Sequence, residues 1–423
     1  MQFIDGGVTA PNGFTANGML CGIKAGRTKN DTALIYSECL CTAAGVFTQN
    51  RVKAESVKLT KKNIANGKAQ AAIANSGNAN ACTGAQGEQN ALRMAKAASK
   101  QLGISSEDVI VCSTGVIGQQ LPVEKIESNI EKLAKGLSKK GHEEARVAIM
   151  TTDTHYKECA VETTIGGKTV RLGTMCKGSG MIHINLGTML GFITTDCAIT
   201  SAMLEKALRS SILGTYNCVS VDGDTSTNDT LTIMANGMAG NKEISSEGKD
   251  YDDFLEALNA VNTEMAKKIA GDGEGADRLI ECNVTGAKDV QTARALAKSV
   301  ISSSLVKAAF FGKDANWGRI LCAMGYSGEV FDPDKTSVGF SSVKGAKRHG
   351  ATDVIGVQEG GSSSIEVFKN GTPLNFDEDL AKKILSEDEV VINVACQDGK
   401  AYGTAWGCDL TYDYVKINGD YRT

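Results

Sequence analysis

The sequence has few of the residues on which several classes of protein depend. Aromatic residues make up 5% of its 423 residues, and it has only four prolines and four histidines. It contains no run of 18 apolar residues, so no membrane-spanning helix is predicted. The net charge of −4, with acids and bases interspersed, provides no basic surface for nucleic acid or an anionic membrane. A small-molecule substrate is therefore the expected partner.

The thirteen cysteines do not form the pattern of a disulfide framework or a zinc site. Their number is odd, most lie in apolar segments, and no Cys-x-x-Cys pair occurs. The four histidines lack His-x-x-x-His spacing, which makes a bound metal improbable. The opening stretch MQFIDGGVTAPNGF also lacks the basic and apolar regions of a signal peptide. We expect a cytoplasmic protein with reduced thiols, no metal and no cofactor.

Periodic apolar residues predict both helices and strands. The helical period appears over residues 86–103, 122–141, 253–273, 293–312 and 377–386. Strand-like segments lie at 69–77, 107–115, 157–167, 168–176, 188–200, 231–237, 278–287, 363–374 and 389–417, with a hairpin turn at Asn370-Gly371. The mixture indicates an α/β or α+β fold with mixed β-sheets. Its hydrophobic content of 42% is enough for a large core.

A glycine and a threonine lie at the start of one apolar segment rich in β-branched residues. Gly187 and Thr188 begin the segment TMLGFITTD. A threonine hydroxyl becomes a nucleophile when a base takes its proton, and one such base is the threonine's own α-amine after the preceding peptide bond is broken. Gly187 tolerates the strained backbone that this cleavage requires. The same pair is also compatible with an ordinary turn into a strand.

Other motifs favour the interpretation of Thr188 as a nucleophile. They are Ala44-Ala-Gly-Val-Phe-Thr-Gln-Asn-Arg51, Asn75-Ser-Gly-Asn-Ala-Asn-Ala-Cys-Thr-Gly84, Ser113-Thr-Gly-Val-Ile-Gly118, Ala148-Ile-Met-Thr-Thr-Asp153, Lys177-Gly-Ser-Gly-Met-Ile, Thr188-Met-Leu, Thr194-Thr-Asp196, Asp272-Gly-Glu-Gly-Ala276, Asp314-Ala-Asn-Trp-Gly-Arg319 and Asn418-Gly-Asp-Tyr-Arg-Thr423. In these ordered segments, which run nearly from end to end, the chain resembles the ornithine acetyltransferase (glutamate N-acetyltransferase) family of arginine biosynthesis.

The resemblance implies a fold, a processing step and a reaction. The fold would be α/β, with mixed β-sheets layered with helices as in N-terminal-nucleophile aminopeptidases. Self-cleavage between Gly187 and Thr188 would give an α segment, 1–187, and a β segment, 188–423. Thr188 would then carry an acetyl group from N2-acetylornithine to glutamate by a ping-pong mechanism, without a cofactor. The two segments would assemble as an α2β2 heterotetramer.

The resemblance also implies roles for particular residues. Thr114 and Gly115 match the oxyanion hole, which stabilises the tetrahedral intermediate of acyl transfer. The residues that match substrate-binding positions are Thr151, Lys177, Thr188, Glu274, Asn418 and Thr423. A lysine beside the new α-amine would keep that amine neutral by like-charge repulsion, and a carboxylate suits the side-chain amine of ornithine. The acidic loop around Glu274 would repel phosphate, so we do not expect it to bind a nucleotide.

Some positions depart from the family pattern and leave alternatives open. Ile184 replaces the usual proline, Gly187 replaces alanine, and His155-Tyr156 replaces an aromatic-proline pair. The acyl acceptor could therefore differ, as in a paralogous acyltransferase, and acetyl-CoA could also be a donor. A threonine-nucleophile amidohydrolase and a non-catalytic binding protein on the same scaffold are further alternatives.

Overall fold

The computed structural model describes residues 1–183, 189–344, 348–349 and 361–419. Its strands there are β1 (Gln2–Ile4), β2 (Phe14–Met19), β3 (Thr32–Phe47), β4 (Lys68–Asn78), β5 (Val109–Val116), β6 (Lys157–Ile165), β7 (Lys168–Lys177), β8 (Ile182–His183), β9 (Leu190–Thr195), β10 (Ser220–Thr225), β11 (Thr230–Ala235), β12 (Leu279–Ala287), β13 (Ser337–Val343), β14 (Ser362–Lys369), β15 (Thr372–Pro373), β16 (Glu389–Ala395) and β17 (Ala401–Cys408). The α-helices are α1 (Glu55–Asn63), α2 (Gly84–Leu102), α3 (Val123–Lys135), α4 (His142–Ala148), α5 (Ser201–Leu213), α6 (Lys249–Gly271), α7 (Val290–Ser302), α8 (Ser304–Phe311), α9 (Trp317–Gly325), α10 (Glu378–Ile384) and α11 (Tyr412–Gly419).

Three sheets organise the described strands. A nine-stranded sheet has the order β1-β6-β7-β9-β11-β3-β4-β5, with β2 also paired to β3. A six-stranded sheet has the order β15-β14-β13-β16-β12-β17, and β8 pairs with β10. Antiparallel pairs predominate, but β9 with β11, β4 with β5, and β12 with β16 are parallel. The expected α/β fold with mixed sheets layered with helices is therefore confirmed.

The nine-stranded sheet is apolar on both faces. In β9, Leu190 and Phe192 join the same buried cluster as Met175 of β7. Ile193 points to the other face and packs in a second cluster with Leu172. This period of two is typical of a strand that is covered on both sides. Helix α6 covers one side, because it packs on β6 and β7 of this sheet and on β12 and β17 of the six-stranded sheet.

Several sequence predictions match the structure closely. The helix predicted at 86–103 corresponds to α2, which ends at Gly103 in the left-handed conformation with φ +68°. The hairpin predicted at Asn370-Gly371 joins β14 to β15, and both turn residues have positive φ. Strands are also found within every predicted strand segment.

Three predicted segments extend past the residue at which the observed element ends. The helix expected over 122–141 ends at Gly136, and a separate helix, α4, follows. The helix expected over 293–312 is broken at Ser303, whose hydroxyl accepts a hydrogen bond from the N–H of Val306 and so begins α8. The last segment, 389–417, is not strand throughout, because its final residues form α11. In each case the predicted segment continues past a local capping or stop signal.

Among the described helices, no single one has the length and apolar character needed to cross a membrane. The bent pair Val290–Ser302 and Ser304–Gly312 meets that requirement only when both parts are taken together, and the two are bent by 59°.

All thirteen cysteines lie in described residues and are free thiols. Most are buried, and burial raises the pKa of the Cys21 thiol to about 11 and that of Cys41 to about 12. These thiols are therefore protonated near neutral pH, where they are weak nucleophiles.

Candidate active site

A cavity of about 380 Å³ gathers residues from six separate parts of the chain. It is lined by Thr114, Gly115, Val116, Ile117, Thr151, Thr152, Lys177, Gly180, Met181, Ser226, Thr227, Asn228, Glu274 and Asn418. Six of the predicted site residues are among them: Thr114, Gly115, Thr151, Lys177, Glu274 and Asn418. The other three, Gly187, Thr188 and Thr423, lie outside the described residues.

Thr114 and Gly115 stand near the end of β5, where the backbone conformation is restricted. Gly115 has a φ of +133°, and a Cβ atom there would lie 2.3 Å from the carbonyl carbon of Gly77. Only glycine fits this position. Asn228 fixes the same turn, because its Nδ2 donates to the carbonyl oxygen of Ser113 at 2.7 Å. The Thr114 hydroxyl and the Gly115 N–H are thus held on rigid backbone, as an oxyanion hole requires.

Lys177 is the last residue of β7 and lines the cavity. It pairs with Leu190, the first residue of β9, and Leu190 is two positions beyond Thr188 in the sequence. The lysine is 8% exposed, and no ion pair to its ammonium group forms within the described residues. A buried, unpaired cation is costly unless a ligand or a nearby carboxylate compensates it. Lys177 therefore suits an anionic group of a substrate.

Hydrogen bonds anchor the chain on both sides of residues 184–188. Before them, Asp222 accepts hydrogen bonds from the N–H groups of Met181 at 2.6 Å and Ile182 at 2.9 Å. After them, the N–H of Thr230 donates to the carbonyl oxygen of Met189 at 2.7 Å. The two ends of the segment that contains the predicted cleavage site are therefore fixed to β10 and β11.

His183 directly precedes that segment and is neutral near pH 7. Its Nδ1 lies 3.0 Å from the hydroxyl oxygen of Ser220. Burial, and to a lesser extent the charge of Lys298, lower the pKa of His183 to about 4. A histidine in this state can accept a proton weakly but cannot supply one at neutral pH.

Glu274 places a carboxylate in the same cavity as Lys177. Its Oε2 accepts a hydrogen bond from Asn418 Nδ2 at 2.7 Å, and its N–H donates to the carbonyl oxygen of Ser179 at 2.9 Å. A Cβ atom at Gly180 would lie 2.2 Å from this carboxylate, so a larger residue there would displace the Glu274 side chain. The cavity thus offers one positive and one negative group, which matches a ligand with an amine and a carboxylate.

Thr151 reaches the cavity from the loop that follows α4. Its N–H donates to Oδ2 of Asp153 at 3.0 Å. Neither His155 nor Tyr156, where the sequence departs from the family pattern, is among the lining residues. The Tyr156 ring instead lies 3.5 Å from the guanidinium group of Arg146. Neither departure therefore places a side chain in the lining that the described residues form.

The polar run Ser226-Thr227-Asn228 on the cavity wall was not predicted from the sequence. This run joins β10 to β11, and the only local signal was a polar stretch before an apolar strand. The next residue, Asp229, is fully buried, and its burial raises its pKa well above the usual value despite the opposing effects of Ser226 and of the Lys177 charge. That shift favours the neutral carboxylic acid beside the site.

The chemistry available in the cavity comes from hydroxyl, amide, ammonium and carboxylate groups. Within the residues that the structure describes, no three His, Cys, Asp or Glu side chains form a cluster able to hold a metal ion. The Thr114 hydroxyl and the Gly115 N–H can stabilise an oxyanion, whereas Lys177 and Glu274 can bind charged groups. Such a set suits acyl transfer between amino-acid substrates.

Comparisons with known proteins relate the whole chain to one family. The sequence profile of the ArgJ family matches residues 15–423. The "Arginine biosynthesis bifunctional protein ArgJ" of Caldanaerobacter subterraneus subsp. tengcongensis is 50% identical over 423 residues, which cover 100% of both chains. The protein of the same name from Symbiobacterium thermophilum is 48% identical over 424 residues, again with 100% of both chains covered. Among solved structures, ornithine acetyltransferase complexed with ornithine from Mycobacterium tuberculosis is 39% identical with a TM-score of 0.41, covering 44% of this chain and 98% of that chain.

Proposed function

The chain belongs to the ArgJ family, and from that premise we propose that it is an N-acetyltransferase of arginine biosynthesis. It transfers an acetyl group from N2-acetylornithine to L-glutamate through an ester on Thr188. Two full-length relatives bear the name arginine biosynthesis bifunctional protein. The observation that carries the proposal is the cavity in which Lys177 and Glu274 meet the oxyanion donors beside the first residue of β9.

The first step is self-cleavage. The Thr188 hydroxyl attacks the carbonyl carbon of Gly187, and the acyl group moves from the threonine nitrogen to its oxygen. Water then hydrolyses the ester, which leaves a carboxylate on Gly187 and a free α-amine on Thr188. The products are an α segment, 1–187, and a β segment, 188–423. A glycine before the cut allows the carbonyl to turn toward the hydroxyl.

The free amine of Thr188 then acts as the base for acetyl transfer. It takes the hydroxyl proton while the oxygen attacks the acetyl carbon of N2-acetylornithine. The resulting oxyanion accepts hydrogen bonds from the Thr114 hydroxyl and the Gly115 N–H. The tetrahedral intermediate collapses, the proton passes to the leaving nitrogen, and ornithine departs. The amine of glutamate attacks the acetyl ester in the second half-reaction and regenerates the hydroxyl.

The two charges of the cavity orient the substrates. Glu274 accepts hydrogen bonds from the side-chain ammonium group of ornithine, and Asn418 holds the carboxylate of Glu274 in place. Lys177 binds the substrate carboxylate. Its positive charge also disfavours protonation of the neighbouring Thr188 α-amine, which keeps that amine basic near pH 7.

Two further properties belong to this proposal. Both relatives are named bifunctional proteins, so we include acetyl-CoA as a second acetyl donor to glutamate. We also place the enzyme in the cytoplasm as a tetramer of two α and two β segments. An assay with acetyl-CoA in place of acetylornithine, and the mass of the assembly in solution, test these two points.

Initial-rate kinetics test the main proposal. Acetylglutamate formation from acetylornithine and glutamate should give parallel double-reciprocal lines, because the first product leaves before the acceptor binds. Thr188→Ala should remain one chain and show no transfer, whereas Thr188→Ser keeps a hydroxyl and should retain activity. Intersecting lines, or turnover by Thr188→Ala, would contradict the proposal.

A further inference from the structure

A buried charged cluster lies behind the cavity, with Lys157 at its centre. The ammonium nitrogen of Lys157 lies 2.7 Å from Oδ1 of Asp153 and 2.5 Å from Oδ2 of Asp272. The lysine and Asp153 side chains are fully buried, and that of Asp272 is 1% exposed. Removing charges from water this completely is tolerated only when they are paired and hydrogen-bonded.

Asp153 connects this cluster to two cavity-lining segments. Its Oδ2 accepts from the N–H of Thr151 at 3.0 Å. Its Oδ1 accepts from the N–H of Gly178 at 2.8 Å, next to Lys177. The carboxylate therefore fixes the position of Thr151 and the exit of β7 relative to each other.

Asp272 connects the cluster to the segment that carries Glu274. Its carbonyl oxygen accepts from the hydroxyl of Ser179 at 2.6 Å, and the N–H of Glu274 donates to the carbonyl oxygen of Ser179 at 2.9 Å. Its carboxylate also accepts from the N–H of Thr154 at 3.2 Å. Through its two carboxylate partners, Lys157 thus joins all three segments.

The charges of the cluster also bear on Lys177. Burial raises the pKa of Asp153, but the charges of Lys157 and Lys177 together hold it well below its usual value. Lys157 makes the direct ion pair, while Lys177 forms none with Asp153. Lys177 instead lines the cavity.

We propose that Lys157 is a positioning residue for the transfer reaction. It fixes the loop of Thr151, the exit of β7 and the Glu274 segment in one arrangement, and it prevents Asp153 from drawing Lys177 out of the cavity. This role rests on the proposed function, in which Lys177 binds the substrate carboxylate.

Two variants separate this role from a general contribution to folding. Lys157→Met leaves two buried carboxylates without their cation, so it should lower stability strongly. Lys157→Met/Asp272→Asn removes one charge of each sign and leaves Asp153 with Lys177 as its cation. The control is Lys249→Met/Asp253→Asn, which makes the same two substitutions in an ion pair on the exposed surface of α6.

Steady-state kinetics of the folded double variant give the first readout. Lys177 turns to Asp153, so KM for acetylornithine should rise at least about tenfold, equal to about 1.4 kcal/mol, with a smaller change in kcat. The control should match wild type. KM and kcat both within twofold of wild type would overturn the proposal while the wild-type activity, measured in the same assay, still supports the proposed function.

A crystal structure of the double variant gives a readout that does not depend on activity. We expect the Lys177 nitrogen to lie within hydrogen-bond distance of the Asp153 carboxylate. An unmoved Lys177 and unmoved Thr151 and Glu274 segments would overturn the proposal, whatever the substrates are. If the wild-type enzyme transferred no acetyl group, the proposed function would fail and this structure would still decide the role of Lys157.

Discussion

At the scale of single residues, two glycines shape the cavity as much as its charged side chains do. Gly180 leaves room for the Glu274 carboxylate, which a Cβ atom would approach to 2.2 Å. Gly115 lets β5 approach β4 so closely that a Cβ atom would lie 2.3 Å from the backbone of Gly77. The positions of the Glu274 carboxylate and of the proposed oxyanion donor, the Gly115 N–H, thus depend on the absence of two side chains.

Replacing Gly115 with alanine should therefore abolish transfer. The new Cβ atom must displace the backbone of β4 or β5, which moves the N–H that we propose stabilises the oxyanion, and losing one such donor costs about 10²–10³ in rate. The matched control is Gly118→Ala, because Gly118 also has a positive φ but open space around its Cβ position. Assays of both variants check this. If Gly118→Ala lost as much activity as Gly115→Ala, strain at positive φ, rather than the close approach to Gly77, would account for the loss.

Removing the charge of Glu274 should weaken binding of the ornithine side chain. Hydrogen bonds to charged groups contribute about 1.5–3 kcal/mol, so KM for acetylornithine in Glu274→Gln should rise about tenfold or more. N-acetylnorvaline, which lacks the side-chain amine, is the control substrate. Its KM should be nearly the same in wild type and variant, and a rise equal to that of acetylornithine would contradict the assigned contact.

The sequence predicted the site residues mainly through the family resemblance. Local patterns around Lys177 or Glu274 are compatible with ordinary surface residues, and only the ordered motifs single them out. Asn228 and Lys157 could not be recognised, because their contacts join residues far apart in sequence, such as Asn228 with Ser113 and Lys157 with Asp272. Such contacts follow from the fold and leave no short-range pattern.

At the scale of elements, helix positions followed from periodicity, but their ends did not. Amphipathic spacing predicted α2 and α3, since each buries one apolar face, and the apolar period also predicted α6, which packs on two sheets. The break at Ser303, where the hydroxyl caps the next helix, and the stop at Gly136 are local features that the apolar pattern does not contain. Strand β3 was missed because its 16 residues pair with β2, β4 and β11 in different parts, with a register shift between them.

Helix α10 begins at a side-chain cap, and a stability measurement can test the contribution of this cap. The Asp377 carboxylate accepts a hydrogen bond from the N–H of Leu380 at 3.0 Å. Asp377→Ala should lower the free energy of unfolding by about 1 kcal/mol. Asp379→Ala, which also removes a carboxylate from the first turn, should cost less because it does not cap. Urea unfolding checks both, and equal losses would argue against the cap.

At the scale of the whole molecule, the two predicted segments are parts of one sheet. Strand β7 precedes the predicted cut and β9 follows it, yet they pair over six residue pairs. Strand β3, also before the cut, pairs with β11 over six more. The main hydrophobic cluster likewise contains residues from both segments, including Leu172 and Ile193. The cut therefore divides the chain without dividing the core.

Cleaved protein should consequently behave as a single particle. Separating the segments would expose strand edges and apolar surface of both, which is strongly unfavourable in water. We expect both segments to co-elute in size-exclusion chromatography and to part only in denaturant. The uncleaved Thr188→Ala protein provides the reference elution volume. Separate elution of the two segments under native conditions would contradict the shared sheet.

The proposed mechanism requires that Thr188, freed by self-cleavage, carries the acetyl group. Intact mass spectrometry of the wild-type protein, before and after exposure to N2-acetylornithine without glutamate, tests it most directly. The account predicts two polypeptides, 1–187 and 188–423, and a gain of one acetyl group on Thr188 of the second. An active preparation that consists of one uncleaved chain, or whose second segment gains no acetyl group, would contradict it.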